Sequence, residues 1–155
     1  MSDLAANPQV EAELEQIEEG FDASGALVGI LIDSEEDMEK MAPAEKYLSK
    51  QGIKSEVQVT SAHREPEKVR EFCAGARARG LKVIIAGARM SAALPGVAAA
   101  HTDLPVIGVP LRGESLGGLD ALLSAVQMPP GVPVACVAVD GAENAGVLAA
   151  RIINA

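Results

Sequence analysis

The sequence has no tryptophan, one tyrosine and two phenylalanines in 155 residues, yet 48% of it is hydrophobic. Aliphatic side chains and alanine, set against glycine, therefore have to build the core. Only two cysteines are present, Cys73 and Cys136, with no CxxC pair or Cys/His cluster around them. Two buried free thiols are expected, with no disulfide and no metal site. Long apolar runs are lacking: stretches such as Ala26 to Ile32 stop far short of the roughly 18 to 20 residues that span a bilayer. No basic segment precedes an apolar one, so no secretory signal and no membrane partner are expected, and the expected location is cytoplasmic. Clustered positive charge is lacking as well. Thirteen Lys and Arg are scattered against twenty-two Asp and Glu, a formal net charge of −9, whereas nucleic acid requires a basic face.

The negative charge is unevenly placed. Residues 1–27 carry seven acids and no base, which leaves −2 for the remainder. Asn7 to Gly20 reads as a short acidic helix with Leu14 and Ile17 on one side, so residues 1–25 are expected to be a partly helical N-terminal extension. That extension is either a solvated leader or a segment packed on a neighbouring subunit. Residues 26–155 are expected to form a single domain, since a chain of this length supports one core.

Within that domain, apolar runs of strand length recur at Leu27–Ile32, Val57–Thr60, Val83–Ala86, Val106–Val109 and Val132–Val139. Each is followed by a segment of helical period. Val69, Phe72, Cys73 and Ala76 share one helical face, and Leu116, Leu119, Leu122, Leu123 and Val126 share another, so both stripes read as core. Strands that are apolar throughout, joined by helical crossovers, imply a parallel sheet of five strands or slightly more, covered on both faces. The expected fold is an α/β, flavodoxin-like, three-layer αβα sandwich. Pro43 falls inside the first helical stretch, where it should kink the helix or mark a restart.

Ligands of such sheets bind beyond the carboxyl ends of the strands. The connections there read Asp33-Ser34-Glu35-Glu36-Asp37, Ser61-Ala62-His63-Arg64-Glu65-Pro66, Gly87-Ala88-Arg89-Met90-Ser91 and Pro110-Leu111-Arg112-Gly113-Glu114-Ser115. At the second, His63 offers a near-neutral acid/base, Ser61 a hydroxyl donor and Arg64 a phosphate-binding fork at a helix N-terminus. Read from the residues alone, His63 is either catalytic or a solvated loop side chain. His101 ends an Ala-rich helical stretch and reads as structural. No P-loop, dinucleotide-binding, nucleophile-elbow or zincin motif occurs.

These connections carry a family resemblance, through Ser61-Ala62-His63-Arg64-Glu65-Pro66, Ile84-Ile85-Ala86-Gly87-Ala88, Leu94-Pro95-Gly96, Leu104-Pro105-Val106-Ile107-Gly108-Val109-Pro110 and Gly118-Leu119-Asp120-Ala121-Leu122-Leu123-Ser124. Val28 to Asn154 resembles the aminoimidazole ribonucleotide carboxylases and carboxyaminoimidazole ribonucleotide mutases of purine biosynthesis. The resemblance implies a homo-octamer acting, without metal or organic cofactor, on the ring carbon of a small ribonucleotide substrate. It implies that His63 shuttles a proton at that carbon, that Ser61 and Arg64 hold the 5′-phosphate, and that Asp37 binds the ribose hydroxyls. Ser34, Ala88 and Arg89 complete the implied binding set.

The resemblance also has departures. Asp33 stands where the family has glycine, Glu36 where it has a phosphate-binding serine, Arg89-Met90 where it has two glycines, and Ala93 where the mutases have a second histidine. A carboxylate about 4 Å from a phosphate at an effective dielectric near 20 costs roughly 4 kcal/mol, about a thousandfold in affinity. Alternatively, Ser34 caps a helix and Glu35, Glu36 and Asp37 are first-turn acids that complement its dipole. Arg89 either binds ligand or pairs with Glu36 or Asp33. The alternative functions are a diverged relative with a different, non-phosphorylated small molecule, and a non-catalytic assembly protein with a vestigial site.

Overall fold

The computed structural model describes residues 25–155, and the acidic segment expected to be helical lies outside them. Five strands form one parallel sheet: β1 (Val28–Ile32), β2 (Ser55–Val59), β3 (Val83–Arg89), β4 (Val106–Leu111) and β5 (Ala135–Cys136), in the order β2-β1-β3-β4-β5. Five helices connect or follow them: α1 (Met38–Lys50), α2 (Pro66–Gly75), α3 (Leu94–Ala100), α4 (Leu119–Val126) and α5 (Ala142–Ile153). This is the flavodoxin-like order, with its switch point between β1 and β3.

Every residue of β1 and of β4 is buried, as strands covered on both faces require. Alternating side chains serve two cores. Ile30, Ile32, Ile85, Ile107 and Val109 pack under α1 and α5, while Leu31, Ile84, Ala86 and Val106 meet Val69, Phe72 and Leu94 from α2 and α3. Burying one such aliphatic side chain contributes about 1.5–3 kcal/mol. Two glycines set the spacing of the first layer. A Cβ on Gly87 would lie 2.3 Å from Met41 Sδ, and one on Gly146 would lie 2.8 Å from the Ala44 carbonyl oxygen. The second contact is with backbone, which cannot swing away, so α5 approaches α1 only because residue 146 has no side chain.

Three expectations change. Pro43 lies within one continuous helix, Met38–Lys50, preceded by a 3₁₀ turn at Glu35–Asp37, and no restart occurs. The last strand is two residues long instead of Val132–Val139, because the preceding run is broken by Pro133, which has no N–H for a ladder bond. The stripe on α4 is not core. Ala121 and Ala125 are the residues it buries, while Leu116, Leu119, Leu123 and Val126 are 62%, 55%, 50% and 44% exposed. The short β5 gives that face little sheet to cover it. The α2 stripe, Val69, Phe72, Cys73 and Ala76, is buried as expected. Both thiols are free, Cys73 buried and Cys136 half-buried.

Candidate active site

The first three strand-to-helix connections meet beside the switch point. The Thr60 N–H donates to the Ile32 carbonyl at 2.9 Å and the Asp33 N–H to the Gly87 carbonyl at 3.1 Å, tying loop two and loop one to the sheet. Side chains complete the junction. Asp33 Oδ1 accepts from the Ala62 N–H at 3.2 Å, and Asp33 Oδ2 lies 3.9 Å from an Arg64 nitrogen.

Between loops one and two lies a cleft of about 340 Å³. Asp33, Glu35, Glu36 and Glu65 supply four carboxylates to its walls, Arg64 one guanidinium, and Ser34, Thr60 and Ser61 three hydroxyl-bearing side chains. Ser61 is 4% exposed and its Oγ has no hydrogen-bond partner. Buried hydroxyls are ordinarily paired, so Ser61 Oγ retains the capacity to bond a group entering the cleft. Glu65 opens α2, and its carboxyl is held below the usual range by the hydrogen bond and charge of Lys68.

Loop three is tied to loop one. Arg89, the last residue of β3, donates from Nε to Asp37 and from a terminal nitrogen to Glu36 Oε2 at 2.7 Å. The two carboxylates, Glu36 first, hold the guanidinium above its ordinary value. Arg89 thus pairs with Glu36, one of the alternatives open in the sequence, and with Asp37 in place of Asp33. Met90 follows in the left-handed region, φ 59°, at one of the positions where a glycine would carry no steric cost.

Ser34, Ser61 and Arg64 therefore line one cleft, whereas Asp37 is not among its lining residues and is 1% exposed and paired with Arg89. Ser34 occupies the N-cap position of the 3₁₀ turn, but its hydroxyl makes no capping bond. Ala88 is 1% exposed and packs in the core under α2 and α3. His63 is exposed on the junction leading to Pro66, and His101 is exposed at the C-cap of α3. Among the described residues no group of acidic, histidine or cysteine side chains has the geometry to hold a metal ion.

One cluster was not foreseen. Asp140, φ 57°, accepts from the Arg112 N–H at 2.8 Å and pairs with its guanidinium at 3.4 Å, while Lys40 Nζ donates to the Arg112 carbonyl at 2.7 Å. Loop four is thereby pinned to both α1 and the turn before α5. The Asp140-Gly141 dipeptide is the sequence signal for that turn.

Comparison with known proteins adds the family. The profile described as AIR carboxylase matches residues 27–155. A Pyrococcus abyssi protein named N5-carboxyaminoimidazole ribonucleotide mutase is 52% identical over 127 residues, 82% of this chain and 73% of that one. A Schizosaccharomyces pombe phosphoribosylaminoimidazole carboxylase is 50% identical over 82% of this chain, which matches 23% of its length. A crystal structure of Treponema denticola PurE superposes with a TM-score of 0.74 at 31% identity, covering 83% of this chain and 80% of that one.

Proposed function

The chain belongs to the AIR carboxylase family, and from that premise we propose that it carries out carboxyl transfer onto the ring carbon of aminoimidazole ribonucleotide in purine biosynthesis. The observation that carries this reading is the Ser61–Glu65 junction. It puts an unpartnered buried hydroxyl, an exposed imidazole and an exposed guanidinium within four consecutive residues at the carboxyl end of β2. The family match and relatives named as a mutase and a carboxylase support the same chemistry.

In the mutase form of the reaction, the bond between the exocyclic nitrogen and the carboxyl carbon breaks and a bond to the ring carbon forms. The ring carbon gives up its proton and the amine regains one. His63 is the side chain we assign to that transfer, because an imidazole both accepts and returns a proton near neutral pH. Ser61, Arg64 and Ser34 are assigned to substrate binding at the cleft, Arg89 to holding Glu36 at its wall, Ala88 to the wall of the strand end, and Asp37 to orientation of Arg89. If carbon dioxide is the donor, the same proton leaves the ring carbon and no amine bond breaks.

Residues 26–155 carry this reaction in the reading. Assembly as a homo-octamer and a cytoplasmic location belong to it too. The first is supported by the exposed leucines of α4; for the second, no helix among the described residues is long and apolar enough to cross a membrane. The test is an assay of the purified chain with carboxyaminoimidazole ribonucleotide, and separately with aminoimidazole ribonucleotide plus bicarbonate. Turnover of the first alone identifies a mutase and of the second a carboxylase, and turnover of neither overturns the reading.

A further inference from the structure

Arg89 holds two carboxylates that differ in their access to water. Asp37, whose side chain is 2% exposed, accepts from Nε at 2.9 Å and fixes the guanidinium from the protein interior. Glu36, whose side chain is 76% exposed, accepts from a terminal nitrogen at 2.7 Å. Burial makes the first contact durable, whereas an ion pair to a solvated side chain is weak and easily exchanged. Glu36 lines the cleft and Arg89 does not, so the Glu36 carboxylate links the cleft to a guanidinium outside its lining. The cleft's own guanidinium is uncommitted: Arg64 is 72% exposed, 3.9 Å from Asp33 and without a hydrogen bond to it.

We propose that Glu36 is an internal competitor for Arg89, which it holds until the ribonucleotide binds and then yields to an anionic oxygen of that substrate. The inference rests on the carboxyl-transfer reading for the identity of the ligand and adds a control built into the same site. Arg64 is the first anion fork and Arg89 the second, reached by exchange. The exchange leaves no buried charge unpaired, because Nε stays on Asp37 while the Glu36 carboxylate turns into water. A phosphate or carboxylate offers the guanidinium fork more than one oxygen, so it outbids a single solvated carboxylate. The departure of Glu36 also removes a negative charge from beside the incoming anion. Until then the competitor lowers apparent affinity in proportion to the share of Arg89 it occupies.

Calorimetry on the full chain at low salt tests this by binding alone, in His63→Asn so that no ligand is consumed. The ligands are aminoimidazole ribonucleotide, whose anion is the phosphate, and its ring-carboxylated product. Glu36→Gln and Glu36→Ala should each tighten binding by about threefold to tenfold. A gain with both ligands identifies the phosphate as the anion that takes Arg89, and a gain with the carboxylated one alone identifies the carboxylate. The same changes are then made where the Arg89 fork is missing, in Arg89→Met with Asp37→Asn and in Arg89→Lys. There the gain should fall to at most about twofold, since only the removed charge remains to act. An equal gain with and without the fork overturns the inference, because Glu36 then acts by repulsion alone. No gain in either Glu36 variant, or no binding by any variant, overturns it as well. Turnover by the parent chain decides the carboxyl-transfer reading separately, and a binding gain without turnover would leave the exchange standing and that reading lost.

Discussion

Arg89 Nε stands 2.8 Å from Asp37 Oδ1 and 2.9 Å from Oδ2, joining residues 52 apart in sequence at the switch point of the sheet. The Asp37 side chain is 2% exposed and the Arg89 side chain 27% exposed. The pair thus fixes the end of β3 to the turn that follows β1 and leaves only the far end of the guanidinium to reach Glu36.

Removing the cation should expose the cost of that arrangement. Arg89→Met leaves a buried carboxylate without its counter-charge, and we expect a loss of about 3 kcal/mol in urea unfolding, the lower part of the range for broken buried pairs because Arg89 is partly solvated. Adding Asp37→Asn to Arg89→Met should recover at least half of the loss. Failure to recover would show that packing of the Arg89 stem, not charge, is what the variant removes.

The α/β class, the parallel sheet and the convergence of the loops at the strand ends were legible in the sequence because the apolar runs are short and each is followed by a helical period. Ser61, Arg64 and Ser34 were legible as cleft residues for the same reason, since strand ends fix where loops start. The burial of Asp37 was not legible: whether a first-turn acid faces solvent or an arginine depends on the register between β1 and β3. The α4 stripe misled because periodicity reports that one face is apolar, not which surface covers it. There the alanines Ala121 and Ala125 face the sheet, and small residues leave no mark in a count of leucines.

Burial pushes the Cys73 thiol from 9.0 up to about 11. The unfolded chain releases this proton near its usual value, whereas the native state retains it. Stability is therefore untouched by this group below about pH 9 and falls between about pH 9 and 11, by at most roughly 2–3 kcal/mol. Cys73→Ala should lose some stability at pH 8 through its cavity, and should show a smaller drop than the parent between pH 8 and 10.5 in urea unfolding. Equal drops would mean that the thiol is ionised in the native state as well.

The exposed leucines of α4 lead to a prediction about assembly. Leu119 and Leu123 of α4, and Leu116 in the turn before it, are all exposed, and exposed apolar side chains of this kind mark contact between subunits. In the proposed homo-octamer, Leu119→Glu with Leu123→Glu should shift sedimentation velocity to smaller species. Far-ultraviolet circular dichroism should be unchanged, because exposed positions tolerate charge within about 0.5 kcal/mol. Assembly that survives both changes would place the contact on another face.

His63 has no hydrogen bond or ion pair among the described residues, and it is exposed. A proton shuttle needs that freedom, whereas a structural histidine would be expected to hold a partner. His63→Asn preserves the size and polarity of the side chain but cannot take up a proton at neutral pH. We expect turnover to fall by about 10²–10⁴ while the dissociation constant for the ribonucleotide changes less than about threefold. Exchange of the ring-carbon hydrogen with solvent deuterium, followed by NMR, separates proton transfer from carboxyl transfer. It should be lost in His63→Asn and retained in Arg64→Gln, where binding weakens instead. Exchange that persists in His63→Asn would assign the proton to another group, and the cleft carboxylates Asp33 and Glu36 would then be the acids to replace next.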